Sequence, residues 1–368
     1  MPAHGLEVTL GPVPADEPSA SLHARVRRFA AGEGSDSFDS LALDIARFQA
    51  ASSPGYARLV ERHGGRLDSV ARIPAVPVAA FRLGRVAAHP AELDAARFET
   101  SGTTGSAPGV HPFRTTDTYA ALALAYGTLA LRSTHGRAVV ACLAPEPDSR
   151  NASSLAFMMR LFARAWDGHA GRWLVRDGRV DTRALRESAR LARDSATPLV
   201  VLATAFALVA LLDALAGDEL GAPEGSAVMV TGGFKGRSRE VEKGELRDGV
   251  ARAFGISPAA VVGEYGMTEL SSQLYEGTLP GAALSGPPDV FLEPPWLRVV
   301  PVDAVTLEPV AAGEIGIARF VDLANVDSAV AVQTDDLVRR AAGGIELLGR
   351  RSGAEPRGCS LALETLLA

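Results

Sequence analysis

Short apolar runs recur through the middle of the chain, separated by stretches of helical period. Residues 138–143, 199–203 and Ala227–Thr231 are continuously apolar and rich in valine. That pattern suits strands covered on both faces. Between them, Tyr119, Leu122, Ala123 and Tyr126 fall at helical spacing, and so do Leu246, Val250, Ala253 and Phe254. Strands alternating with amphipathic helices predict an α/β architecture with a largely parallel sheet.

Towards the C-terminus the pattern changes. Residues 296–302, 314–323, 329–337 and 345–348 read as strands with Pro, Gly and Asp turns between them, and no helical period intervenes. The expected organisation is a flexible leader over 1–20, Pro-rich and acidic near its end. A main domain over 21–348 follows, α/β to about 290 and β-rich after that, and then a short C-terminal segment over 349–368. No repeat of fixed period is present.

Composition narrows the function classes. The chain has 368 residues, 47% hydrophobic and 22% charged, enough to bury a substantial core. A net charge of −6 gives no electrostatic reason to expect nucleic acid or an anionic membrane as partner, although a small anionic ligand needs only local donors. The 2 cysteines, Cys142 and Cys359, make no disulfide framework, so a reducing, cytoplasmic setting is expected. No apolar run approaches the ~18 residues of a membrane span. The 7 histidines are scattered without zinc-ligand spacing.

Four segments carry candidate chemistry. Thr100-Ser101-Gly102-Thr103-Thr104-Gly105 combines hydroxyls with glycines, so backbone amides and side-chain donors can converge on phosphate oxygens. An ordinary Ser/Thr-Gly turn has the same composition. Gly263-Glu264-Tyr265-Gly266-Met267-Thr268-Glu269 follows an apolar run, placing Tyr265, Thr268 and Glu269 at a sheet edge where α/β proteins bind ligands. Tyr265 offers a flat face for a base and Glu269 a hard oxygen for Mg2+; a surface Tyr and Glu would look the same. Thr334-Asp335-Asp336-Leu337 puts a carboxylate at an expected strand end, where it can accept from ribose hydroxyls or simply belong to a turn. Near the chain end, Arg350, Arg351 and Arg357 lie close to Cys359, and neighbouring guanidinium charge favours the nucleophilic thiolate. A half-buried cysteine beside solvated arginines would read alike. Cys142, inside an apolar run, reads as a small buried hydrophobe.

A TSGTTG loop, a YGxTE loop, a T-x-D-L element and a G-R element, in that order, resemble the adenylate-forming superfamily of acyl-CoA synthetases, adenylation domains and luciferases. The resemblance covers about residues 98–367. Within that superfamily the chain looks most like the acyl-protein synthetase (LuxE-type) family. The Gly232-Gly233-Phe234-Lys235-Gly236 stretch and the Arg357-Gly358-Cys359-Ser360 segment resemble that family, and a short segment in place of a full C-terminal domain is expected on that resemblance.

The resemblance implies ATP and Mg2+ as cofactors and a carboxylic acid as substrate. Ser101, Gly102, Thr103, Thr104 and Gly105, with Thr100, would hold phosphates. Gly232, Gly233, Gly263, Glu264, Tyr265 and Gly266 would wall the nucleotide site. Thr268 would contact phosphate, Glu269 would hold Mg2+ and Asp336 would bind ribose. Lys235 and Arg350 would be cations at the reacting groups, and Cys359 would accept the acyl group, for example a fatty acyl, before hand-over to an acyl reductase. The chain departs from the wider pattern where the phosphate loop continues Ser106-Ala107-Pro108-Gly109 without a lysine. Coenzyme A or a carrier-protein thiol as acceptor, and a catalytically idle nucleotide-binding subunit, remain competing readings.

Overall fold

The apolar runs become the parallel half of a 13-stranded sheet. In spatial order, Arg172–Arg176, Val139–Pro145, Leu199–Thr204, Ala227–Thr231 and Val261–Tyr265 run parallel to their neighbours. Their side chains alternate between two cores. Val140, Cys142, Val200, Leu202, Met229 and Val262 face one, against Asp117–Leu131 and Ser154–Asp167. Val139, Ala141, Leu143, Val201, Ala203 and Val228 face the other, against Thr182–Asp194, Ala205–Leu215 and Lys243–Phe254. Helices on both faces remove both rows of side chains from water, which is why these strands read as unbroken apolar runs. Burial also explains Cys142, whose thiol is pushed up to about 12 and is chemically quiet.

The computed structural model describes residues 18–100, 108–134, 136–147, 153–169, 171–232 and 241–351. Ser101 to Gly105, Gly233, Lys235 and Cys359 lie outside the described residues, so their expected roles stay expectations.

Val261–Tyr265 is where the sheet changes character. On its other side come Leu274–Glu276, Val290–Leu292, Gly344–Arg350, Ala331–Ala341, Ile315–Asp322 and Leu297–Val302, each antiparallel to the next along this order. The β-rich C-terminal strands therefore extend the same hydrogen-bonded sheet as the α/β part. They pack on a third core that includes Leu274, Phe291, Val299, Phe320, Val332 and Ile345.

Two further pieces dock onto this frame. Val76–Pro77 pairs parallel with Ala331–Ala341, with Val76 opposite Val332. Ala96–Glu99 and Val110–Phe113 form a separate antiparallel hairpin. Its underside is aromatic: Phe98 lies 5.0 Å from Phe113 and 5.3 Å from Phe157, and Tyr119 lies 5.6 Å from Phe157. Among the described residues no helix is long and apolar enough to cross a membrane.

One boundary differs from expectation. Residues 18–20, placed in the leader from composition, open the helix Pro18–Ala30. Ser19 is buried and donates to Asp327 Oδ1 at 2.6 Å, while His23 Nε2 lies 2.8 Å from Asp327 Oδ2. A long-range contact of this kind leaves no trace in local composition.

Candidate active site

Of the described candidates, Gly232, Glu264, Tyr265 and Gly266 lie where two of the parallel strands end. Thr231 and Glu264 are register partners at the carboxyl ends of adjacent parallel strands. The Thr231 hydroxyl donates to Glu264 Oε2, and Gly232 follows at once with φ of +69°. Glu264 is buried, and that burial pushes its carboxyl up to about 7 against the opposing Thr231 hydrogen bond. A Cβ at Gly266 would sit 2.6 Å from Glu264 Oε1, so any larger residue there would displace the carboxylate. Gly263, on the same strand as Glu264, is constrained in a similar way by Glu276 of the neighbouring strand. Its N–H donates to Glu276 Oε2 at 2.9 Å, and a Cβ would fall 2.9 Å from the same carboxylate.

Tyr265 is oriented from several sides. Its ring stacks on Phe320 with centroids 5.7 Å apart and planes 11° from parallel. Its hydroxyl donates to Asp336 Oδ2 at 2.7 Å. Burial, followed by the Asp336 charge and hydrogen bond, raises the phenol well above its ordinary value, so it stays a donor. One face of the expected base-stacking ring is thus taken by Phe320.

Asp336 and Arg350 are directly opposite each other in the antiparallel pair Ala331–Ala341 and Gly344–Arg350. Their charged atoms stand 3.9 Å apart, and the Arg350 side chain is 64% exposed. A pair so open to water contributes little to stability, which leaves the guanidinium available to a ligand. The expectation that Asp336 ends a strand needs correction. It lies within Ala331–Ala341, beside a register shift between Leu337 and Val338. A bulge re-aims side chains at such a point without ending the strand.

The expected phosphate loop springs from the hairpin mouth. Thr100 N donates to the Gly109 carbonyl at 2.9 Å, and Gly109 N donates to Thr100 Oγ1 at 2.8 Å. Two contacts tie this mouth to the Tyr265 loop. The Thr268 hydroxyl donates to the Glu99 carbonyl at 3.4 Å, and His111 Nδ1 donates to the Thr268 carbonyl at 2.7 Å. A carbonyl only accepts, so Nδ1 carries the proton and Nε2 accepts from Ser328 Oγ at 2.8 Å. Burial holds the His111 imidazolium pKa down at about 4, so the ring is neutral at neutral pH.

Glu269 is buried, and its carbonyl accepts from Asn325 Nδ2 at 3.0 Å. Asn325 Oδ1 accepts from Ser271, while Asp322 accepts from Ser271 N at 2.9 Å and Ser272 Oγ at 2.7 Å. Sequence reasoning missed this polar scaffold, along with His111, Thr231 and Glu276. Thr231 alone left a signal, as the hydroxyl that closes an apolar strand ahead of two glycines. A cavity of about 640 Å³, walled in part by Tyr56, Arg85, His89 and Ser328, lies beside this cluster and includes none of the expected site residues.

A parallel sheet with ligand-type residues at its carboxyl edge, continued by antiparallel strands, is the fold of the adenylate-forming ligases. The crystal structure of an open conformation of 2-hydroxyisobutyryl-CoA ligase, in complex with 2-HIB-AMP and CoA, superposes with a TM-score of 0.57 at 15% identity, covering 95% of this chain and 82% of that one. The postadenylation state of the same ligase with 2-HIB-AMP gives 0.58 at 15% identity, over 92% of this chain and 72% of that one. The chain belongs to the acyl-protein synthetase LuxE family, whose model matches residues 65–368. None of the curated proteins matches it significantly.

Proposed function

We propose that this protein converts a carboxylic acid and ATP to an acyl-adenylate and pyrophosphate, then transfers the acyl group to a thiolate, its own Cys359. The observation that carries the reading is the convergence of Tyr265, Asp336 and Arg350 at one sheet edge, with Thr268 bound to the mouth of the hydroxyl-glycine hairpin. Family membership and fold point to the same chemistry.

In this reading the acid's carboxylate oxygen attacks the α-phosphorus of ATP. The new P–O bond forms as the bond to the bridging oxygen breaks, and pyrophosphate leaves. The residues supply positioning and charge neutralisation. Asp336 accepts from the ribose hydroxyls while the Tyr265 hydroxyl fixes its second oxygen. Arg350 stands beside the same carboxylate, ready for the ribose or α-phosphate. Thr268 and the hairpin loop Thr100 to Gly105 donate to phosphate oxygens. Gly232, Gly263, Glu264 and Gly266, with Gly233, would line the nucleotide, and Lys235 would be the cation for the carboxylate or α-phosphate. Mg2+, when bound, neutralises the phosphates. Among the described residues no group of three or more His, Cys, Asp or Glu is assembled for a metal. Glu269 would be the residue that holds Mg2+, as a hard oxygen ligand. The Cys359 thiolate then attacks the acyl carbonyl, a C–S bond forms, and AMP departs. A fatty acid as substrate and an acyl reductase as recipient follow from the family resemblance.

The test is intact-protein mass after incubation with MgATP and a panel of carboxylic acids, comparing the unaltered protein with Cys359→Ala. A hydroxylamine-sensitive adduct on the unaltered protein alone supports self-acylation, and its mass identifies the acid. An adduct that persists on Cys359→Ala removes Cys359 as acceptor. Turnover that requires added coenzyme A moves the acceptor off the chain.

A further inference from the structure

In the adenylation reading, the loop after Thr100 continues Ser106-Ala107-Pro108-Gly109 without a lysine, and a cation for the distal phosphates would come from another segment. The short helix Ala80–Leu83 stands against the hairpin mouth. Phe81 anchors it: the ring is buried and meets His111 edge-on at 5.4 Å. Just upstream, Val78 N donates to the Gln333 carbonyl at 3.0 Å, and Val76–Pro77 pairs with the strand that carries Asp336. The helix is therefore fixed to the hairpin and to the ribose-side strand at once.

Arg82 projects from this anchored turn. A Cβ built on Gly109 would lie 3.2 Å from Arg82 Cγ and 3.2 Å from Thr100 Cγ2. The stem of Arg82 thus lies across the two residues that close the hairpin, and glycine at 109 makes room for it. Neighbouring arginines are already engaged. Arg85 and Arg97 both bind Asp94, and Arg319 donates to the carbonyls of Val70, Ala71 and Ile73. Arg82 is exposed and makes no side-chain hydrogen bond or ion pair among the described residues.

We propose that Arg82 binds the β- and γ-phosphates of ATP, and the pyrophosphate product, at the mouth of the Ala96–Glu99/Val110–Phe113 hairpin. The proposal rests on the adenylation reading and adds a residue to it. An unpaired guanidinium suits this duty, because it stays charged at every working pH and offers a planar fork to phosphate oxygens.

AMP shares adenine, ribose and α-phosphate with ATP but lacks the groups assigned to Arg82. Binding of ATP, pyrophosphate and AMP is therefore measured by calorimetry on the unaltered protein, Arg82→Ala and Arg82→Lys. Acid-dependent ATP–pyrophosphate exchange by the unaltered protein is followed alongside. The expected result is ATP and pyrophosphate affinity weakened about tenfold or more by Arg82→Ala, with AMP affinity kept and Arg82→Lys in between. Unchanged ATP affinity in a folded Arg82→Ala overturns the proposal, and so does equal weakening of ATP and AMP. If Arg82→Ala does not fold, Arg82→Gln keeps the stem and gives the same comparison. Absence of exchange in the unaltered protein would count against the adenylation reading; the ATP-against-AMP comparison judges Arg82 separately.

Discussion

Asp336 sits between two partners of different character. The Tyr265 hydroxyl holds one oxygen at 2.7 Å, and Arg350 stands 3.9 Å from the other. Removing the carboxylate by Asp336→Ala should weaken ATP and AMP alike, by about 2 kcal/mol, since it deletes charge-assisted hydrogen bonds to ribose common to both. Tyr265→Phe removes only the orienting hydroxyl and should cost about half as much; titration calorimetry with both nucleotides separates the two. Glu264 gives a prediction in pH. Its folded pKa of about 7 stands above the ordinary 4.5, so the folded state binds the proton more tightly than the unfolded chain does. Glu264 therefore favours folding most at low pH, and that advantage fades as pH rises from about 4.5 through 7. Glu264→Gln should be neutral to melting temperature at pH 5 and should raise it at pH 8. A Glu264→Gln protein that melts lower at pH 8 would show the charged form to be favoured in the fold.

At the scale of elements, the hairpin of Ala331–Ala341 and Gly344–Arg350 presents Asp336 and Arg350, so its docking decides their positions. It docks through Gly344, opposite Leu292. A Cβ at Gly344 would clash with the Phe291 carbonyl oxygen, a backbone atom that cannot swing aside. Gly344→Ala should lower stability by about 2 kcal/mol and weaken nucleotide binding as well. Denaturant unfolding and nucleotide titration on the same sample check both effects. Elements were also the most legible feature of the sequence. The strands at Leu199–Thr204 and Ala227–Thr231 announced themselves because both faces are covered. The bulge beside Asp336 did not, because it is a matter of register between strands. His111 was illegible for a similar reason: its partners Thr268 and Ser328 are 157 and 217 residues away.

Among the described residues, the fold brings Thr100, Thr268, Asp336 and Arg350, from four separate stretches of sequence, into linked contacts. Their order in the chain was readable and implied the family; their convergence is a product of topology. Val261–Tyr265 ends the parallel half and begins the antiparallel half, so the Tyr265 loop lies between the Thr231 turn and the Asp336 strand. Buried polar groups hold that junction. Glu276 accepts from Lys243 at 2.8 Å and Arg247 at 2.6 Å. Burial alone would raise its carboxyl, but these cations outweigh it and hold the group below the ordinary value. Removing both cations by Lys243→Met with Arg247→Met would leave a buried charge unpaired and should cost several kcal/mol, of order 3, in denaturant unfolding.

The central claim is that this edge activates a carboxylic acid. Isotope exchange between ATP and pyrophosphate, with and without a panel of carboxylic acids, tests it most directly, because exchange requires reversible formation of an acyl-adenylate and needs no thiol acceptor. The account predicts exchange that depends on one class of acid and is largely lost in Asp336→Ala. ATP binding with no exchange for any acid would contradict it and leave a nucleotide-binding protein without the chemistry.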